Sequence, residues 1–257
     1  MKKQTAENKP LMKKKPLTEK QFIKSYNIHD YDVPLVTVDM AIFTVKNDRL
    51  HVLIVKRSEH PAKNKWALPG GFIDLTQDRQ LIDAAKRKLR EKTGIDTSYL
   101  EQVETIGNDQ RDPRGWSLTV TYFALIPDSH IEVIEGEGSE EINWVAADDI
   151  GKEYQLAFDH ETILAACYER LKAKAQYTSL PINLLSEYFT LSELQNSFEI
   201  LLKKPIDKKS FRRRILDADI VEETSKMKTG HSRPAKLYKI KPTGENYYFI
   251  RNIEGPR

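Results

Sequence analysis

"LPGGFIDLTQDRQLIDAAKRKLREKTGI", residues 68–95, decides how this chain is read. A Pro-Gly-Gly turn opens it, and the pattern after the turn predicts a helix from about Gln80 to Thr93, stopped at Gly94. Residues 88, 91 and 92 stand at i, i+3 and i+4 and so share one helix face. Three carboxylates on such a face would hold Mg²⁺, a hard cation that takes oxygen ligands, against a diphosphate. Here only Glu91 is acidic, and the other two positions hold Lys88 and Lys92. An ammonium has no lone pair for a metal, and Glu91 can pair with Arg87 or Lys88 about one turn away. Two readings stand: lysines that replace a cation's charge and hold a diphosphate uncleaved, or an amphipathic helix with solvated lysines.

Upstream, "LVTVDMAIFTV" and "LHVLIVKRS" are β-rich runs joined by "KNDR", a hairpin pattern. Downstream, strands are expected at 100–107, 117–126 and 142–146, and Asp159 is placed to cap a helix reaching about residue 176. Arg111 and Arg114 lie in the turn-rich "NDQRDPRG", where guanidinium forks can grip phosphate or knot with Asp109 or Asp112. Trp66 can stack on a base or ribose, or simply pack. The six histidines have no metal-ligand spacing, and His160 is expected to hydrogen-bond near a helix start. A lone Cys167 among apolar helix positions reads as an inert buried thiol in a reducing compartment.

In this context residues 68–95 resemble a Nudix box. Anchored on Gly94-Ile95, Arg87, Leu89 and Glu91 match the family's Arg, aliphatic and Glu. Lys88 and Lys92 fall on its other two Glu positions, Arg79 falls where an earlier Glu belongs, and the stretch after Gly71 is two residues longer than the pattern. The resemblance implies a degenerate site that keeps its frame: no catalytic residue, no bound metal, and no cofactor beyond a nucleotide effector. The expected ligand contacts are Arg57, Trp66, Gly70, Gly71, Phe72, Lys88, Glu91, Lys92, Arg111 and Arg114.

After residue 178 the pattern changes. Thr190-Leu-Ser-Glu193 is a capping box for a helix reaching Leu202, Pro205 breaks it, and Asp207 can cap "KKSFRRRILDA". "DIVEE", a polar loop "TSKMKTGHSRPA" and "KLYKI" then form a hairpin with a long tip, the order of a winged helix-turn-helix. Phe211, Ile215 and Ala218 should pack inward, with Lys209 and Arg213 pointing away, Ser210 and Arg212 to either side, Arg214 nearer the core edge and Lys208 at the helix start. With Lys228, His231, Arg233 and Lys236 on the wing, these residues form the expected DNA-binding set. A protein-binding winged helix is the competing reading.

Charge supports a polyanion partner. Residues 34–150 carry 14 Lys+Arg against 20 Asp+Glu, residues 178–257 carry 15 against 10, and residues 1–33 carry 8 against 4. No run of about 18 apolar residues spans a membrane, and the lysine-bearing start has no apolar stretch like a secretory signal's. The expectation is an α+β chain in the cytoplasm. Residues 1–20 read as a flexible basic tail and 21–155 as a Nudix-like mixed sheet sandwiched by helices. Residues 156–178 read as a linking helix and 179–257 as the winged helix-turn-helix.

This combination, with "LVTVDMAIFTV", "LPGGFID", "RDPRGWS", "LAFDH" and "KKPIDKKSFRRRI" across residues 30–253, resembles the NrtR family, Nudix-related transcriptional regulators of NAD metabolism. The resemblance implies a homodimeric repressor on a palindromic double-stranded DNA operator, with ADP-ribose altering DNA binding. The alternatives are a Nudix hydrolase with atypical metal ligands and a Nudix-like regulator sensing a sugar such as arabinose.

Overall fold

The computed structural model describes residues 17–95, 99–131, 141–229 and 234–253. The chain divides into two units at Pro34/Leu35. In the first, Thr18 caps helix α1 (Glu19–Ser25), with its backbone N–H donating to Gln21 Oε1 at 3.0 Å. The last residues of the expected tail are therefore helical, and residues 1–16 lie outside the described residues. Phe22, Tyr26 and Tyr31 form a ladder with ring centroids 5.5 and 5.6 Å apart.

The second unit starts with the predicted hairpin, β1 (Leu35–Lys46) and β2 (Arg49–Lys56), paired up to Lys46–Arg49. Its two loop residues, Asn47 and Asp48, both have positive φ (49° and 55°), the geometry whose twist matches a two-residue hairpin. Then come β3 (Trp66–Ala67), β4 (Gly70–Phe72), α2 (Leu81–Thr93), β5 (Tyr99–Asn108), β6 (Ser117–Leu125), β7 (Ile142–Ala146) and α3 (His160–Tyr177). The sheet order is β3-β2-β1-β6-β5, with β4 also on β1 and β7 on β2. It is mixed because β1 runs parallel to β6 and antiparallel to its other partners.

Alternation along β1 gives each face its own core. Val38, Met40 and Ile42 pack with Ala84, Ala85 and Leu89 of α2. Ala41 and Phe43 join Ile163, Leu164, Cys167 and Leu171 of α3. Gly94, at φ 69°, ends α2 and donates its N–H to the Arg90 carbonyl at 2.8 Å.

The winged helix consists of α4 (Leu191–Leu202), α5 (Lys208–Asp217), β8 (Val221–Lys228) and β9 (Ala235–Ile240). Thr190 and Glu193 cap α4 reciprocally, at 3.1 and 2.8 Å, and Asp207 accepts the Ser210 N–H at 2.8 Å. The "TSKMK" text expected in the loop is strand, since Met227 and Lys228 pair with Lys236 and Ala235 after a bulge.

The sequence reads two separate halves. Instead one buried cluster runs from Ala41 and Phe43 through α3 to Leu194, Phe198, Leu201, Phe211 and Ile215. Helix α3 is apolar enough to serve both sides, and Asn196–Asp48 (2.7 Å) and Lys203–Asp148 (2.5 Å) add polar ties. Residues 247–253 strap the junction: Phe249 and Ile253 donate to the carbonyls of Tyr177 and Gln176, at 2.8 and 2.7 Å. Among the described residues no helix is long and apolar enough to cross a membrane.

Candidate functional site

A cleft of about 310 Å³ opens where β1, β4, α2 and the loops before β6 and α3 meet. Arg57, Gly70, Gly71, Phe72, Lys88, Lys92, Arg111 and Arg114 of the expected set line it, together with Asp39, Asp112, Phe158 and His160. Trp66 and Glu91 are not in its lining. Trp66 precedes Ala67, a lining residue, so strand alternation sends the indole the other way. There it meets Tyr154 edge-on at 6.2 Å. Glu91 is taken up by its helix neighbours, accepting from Arg87 at 3.0 Å and Lys88 at 2.8 Å. Burial works against its charge, but these two cations hold the Glu91 carboxyl below its ordinary range.

Arg87 keeps the frame of the box in a structural role. Its Nε and one Nη grip Asp78 at 3.0 and 2.6 Å, and the same Nη reaches the Phe72 carbonyl at 3.3 Å. That fork clamps the lengthened 72–80 loop, which Asp74 also ties through Thr76 and Gln77 at 2.6–2.9 Å. The Thr76 hydroxyl and N–H bring the Asp74 carboxyl down to about 2. Lys88 crosses Gly71 closely: a Cβ on residue 71 would lie 3.2 Å from Lys88 Cε. The lysine stem thus lies on the glycine turn and delivers its ammonium to the cleft.

The two arginines of "QRDPRG" behave differently. Arg114 forms the knot with Asp112, at 2.6–3.2 Å, and its guanidinium stands 5.0 Å from the Phe72 ring at the rim. Arg111 is buried, with Nε and Nη on Asp159 at 3.0 and 3.1 Å and Nη also on Asp39 at 3.3 Å. Asp159 is at the N-cap of α3, yet makes no side-chain cap because its carboxylate faces Arg111. His160 accepts the Leu68 N–H at Nδ1, 2.9 Å, so its proton sits on Nε2, 3.9 Å from Asp39 Oδ1. Burial pushes the His160 pKa down and keeps the ring neutral. Asp39, Phe158 and the role of His160 were missed in the sequence, because only the β1–β6 pairing and the approach of α3 bring them together.

On the second basic surface, Lys208, Lys209, Arg212 and Arg213 of α5 are exposed, and Ser210 is half-buried beside the cap. Lys208, Lys209 and Arg213 have no ion pair or hydrogen bond among the described residues, while Arg212 reaches Ser192 Oγ at 3.4 Å. Arg214 leaves the outward face, as its place near the core edge suggests, and donates to the Asn252 carbonyl of the strap. On the wing, Lys228 pairs with Glu193 and Lys236 with Glu223. His231 and Arg233 lie outside the described residues.

Residues 35–167 match the model of the NUDIX domain, and residues 181–240 that of the NrtR DNA-binding winged helix domain. The chain is 48% identical over 240 residues to the ADPR responsive transcriptional repressor NtrR of Acinetobacter baylyi, covering 93% of this chain and 95% of that one. It is similar to Shewanella oneidensis NrtR complexed with a 27mer DNA, at 45% identity and a TM-score of 0.79, over 84% of this chain and 98% of the other. The NUDIX domain of the same Shewanella protein, complexed with ADP ribose, matches at 40% identity and a TM-score of 0.56, over 60% and 99%. A Nudix fold whose box carries two lysines, joined through a shared core to a winged helix with an exposed basic face, places this chain in the NrtR family of Nudix-related transcriptional regulators.

Proposed function

We propose that this chain is a transcriptional repressor of NAD-metabolism genes that binds a palindromic operator as a homodimer and senses ADP-ribose, or a related nucleotide, without hydrolysing it. The observation that carries the reading is the placement of Lys88 and Lys92 in the cleft lining, on the helix face where metal-binding carboxylates would serve a hydrolase. Their charge offsets a diphosphate as a cation would, through charge-assisted contacts. An ammonium has no lone pair for a metal ion that would polarise the phosphoryl oxygen or activate water, so this face favours binding over cleavage. Glu91, the remaining carboxylate of the three, is engaged by Arg87 and Lys88. Among the described residues no three His, Cys, Asp or Glu side chains are grouped to hold a metal.

At the other end, exposed Lys209 and Arg213, which have no ion pair among the described residues, lie on α5, the second helix of a helix-turn-helix, which enters the major groove where Lys and Arg donate to guanine edges. The related Acinetobacter repressor is ADPR-responsive, and the Shewanella protein has been solved with DNA and its NUDIX domain with ADP ribose. Both agree with this assignment of the two surfaces.

The test is a titration of the chain on operator and scrambled duplexes with and without ADP-ribose, alongside an assay for AMP release with Mg²⁺ and Mn²⁺. Expected are operator-selective binding, a shift of that binding by ADP-ribose, and AMP release no faster than the blank. Turnover that disappears in Glu91→Gln would return the chain to the hydrolases. A response to arabinose in place of ADP-ribose would make it a sugar sensor.

A further inference from the structure

The floor of the cleft has the opposite character to its rim. Asp39 sits in mid-β1 with its side chain only 8% exposed. Its Oδ2 accepts from Arg111 at 3.3 Å. No group among the described residues donates a hydrogen bond to Oδ1, and His160 Nε2 stands 3.9 Å from it, beyond hydrogen-bond reach. That oxygen lies along the bare backbone of Gly70, its ladder partner, where a Cβ would come within 2.1 Å of it. Glycine is thus required at position 70 for the carboxylate to lie where it does. Since Arg111 is shared by Asp39 and Asp159, and His160 is neutral, the floor holds two carboxylates around one guanidinium. The rim holds Arg57, Lys88, Lys92 and Arg114.

Asp39 lines the cleft, and a ligand that covers Oδ1 must supply the donor the protein lacks or leave a desolvated carboxylate oxygen unsatisfied. The missing partner must be uncharged or positive and must donate; a phosphate would meet like charge. The floor is closed by Ala67 and Leu68, so it takes one end of a ligand. The exposed Phe72 ring stands at the open rim, where a base can stack. Between them, the cations face the diphosphate.

We propose that Asp39 is the specificity-determining residue of the cleft: its Oδ1 accepts a hydrogen bond from a hydroxyl of the ligand's terminal sugar, so that a nucleoside diphosphate-sugar is preferred over a nucleoside diphosphate ending in phosphate. This rests on the effector reading above and names what that site distinguishes. Arg111 is then a positioning residue, holding Asp39 and the start of α3 in place without touching the diphosphate.

The experiment is calorimetry in metal-free buffer with ADP-ribose and ADP, on the full chain and on Asp39→Asn. In the variant Arg111 retains the amide oxygen, so the NH₂ group replaces Oδ1 and an anionic acceptor becomes a neutral donor. ADP-ribose should bind about tenfold more weakly or worse, with ADP unchanged or tighter. A parallel measurement needs no variant: on the parent chain, an ADP-ribose analogue whose terminal ring lacks hydroxyls should lose the same factor. Equal losses for ADP and ADP-ribose in Asp39→Asn, or full affinity for the analogue, would overturn the proposal. Failure of the parent chain to bind ADP-ribose at all is a different result, and it removes the effector reading itself.

Discussion

The cations of the cleft and those of the recognition helix are the same residue types arranged in opposite ways. In the cleft, Arg111 is held by Asp39 and Asp159, Arg114 by Asp112, and Lys88 by Glu91. On α5, Lys208, Lys209 and Arg213 are exposed without an ion pair among the described residues. A small ligand rewards groups already fixed at the right spacing, because little side-chain entropy is then lost on binding. A DNA backbone with its counterions rewards mobile charges that adapt along a groove. The comparison predicts that cleft substitutions act on stability and effector binding together, while α5 substitutions act on DNA alone.

The largest effect should follow Arg111→Ala. It leaves two mostly buried carboxylates facing each other, and breaking such a pair costs about 3–5 kcal/mol. Urea unfolding should show that loss; a change within about 0.5 kcal/mol, the usual surface value, would mean the arginine is no structural anchor. Arg213→Ala should invert the profile, with stability unchanged and operator affinity lower by about 1–3 kcal/mol. An equal loss on scrambled DNA would make Arg213 a phosphate contact, and half a helical turn inserted between half-sites should abolish tight binding.

Lys228→Ala sits between the two classes, since its ammonium is exposed yet paired with Glu193. Operator and random DNA should weaken alike, and the salt slope should become shallower by about one unit. A full-strength slope in the variant would mean the Glu193 pair persists on DNA.

A smaller effect comes from pH. The folded pKa of His160 lies below its unfolded value, so its contribution is fully present above about pH 6.5 and is lost progressively as pH falls from there through the lower folded pKa. Melting temperatures should therefore decline between pH 7 and pH 5.5, above the range where the carboxylates titrate. His160→Gln should flatten that decline; an unchanged slope would exclude His160 as its source. Smallest of all, Cys167, buried beneath the sheet with its pKa pushed up to about 12, should resist alkylation until the chain unfolds.

Local periodicity made much of this legible. The hairpin, the α2 stop at Gly94, the capping boxes and the inward Phe211 and Ile215 are set by residues within a turn or two of one another. The glycine turn and its two lysines were legible as neighbours because they too lie on one contiguous stretch, and they line one cleft. Asp39 was not, since a lone Asp in a β-rich run shows nothing of Gly70 opposite it or of α3 arriving 120 residues later. Trp66 misled because its neighbour Ala67 faces the cleft and strand alternation decides between them. The shared core was missed because a change of pattern near residue 178 looks like a boundary, whereas α3 buries side chains of both halves in one cluster.

The two lysines of the box decide whether the cleft holds a diphosphate without a metal. ADP-ribose should be titrated by calorimetry, in metal-free buffer, into the parent chain and into Lys88→Glu/Lys92→Glu. If the ammoniums replace a metal's charge, the double variant should bind about tenfold more weakly or worse, each charge-assisted contact being worth about 1.5–3 kcal/mol. Equal affinity in the two proteins would contradict the account and leave Lys88 and Lys92 as solvated helix residues.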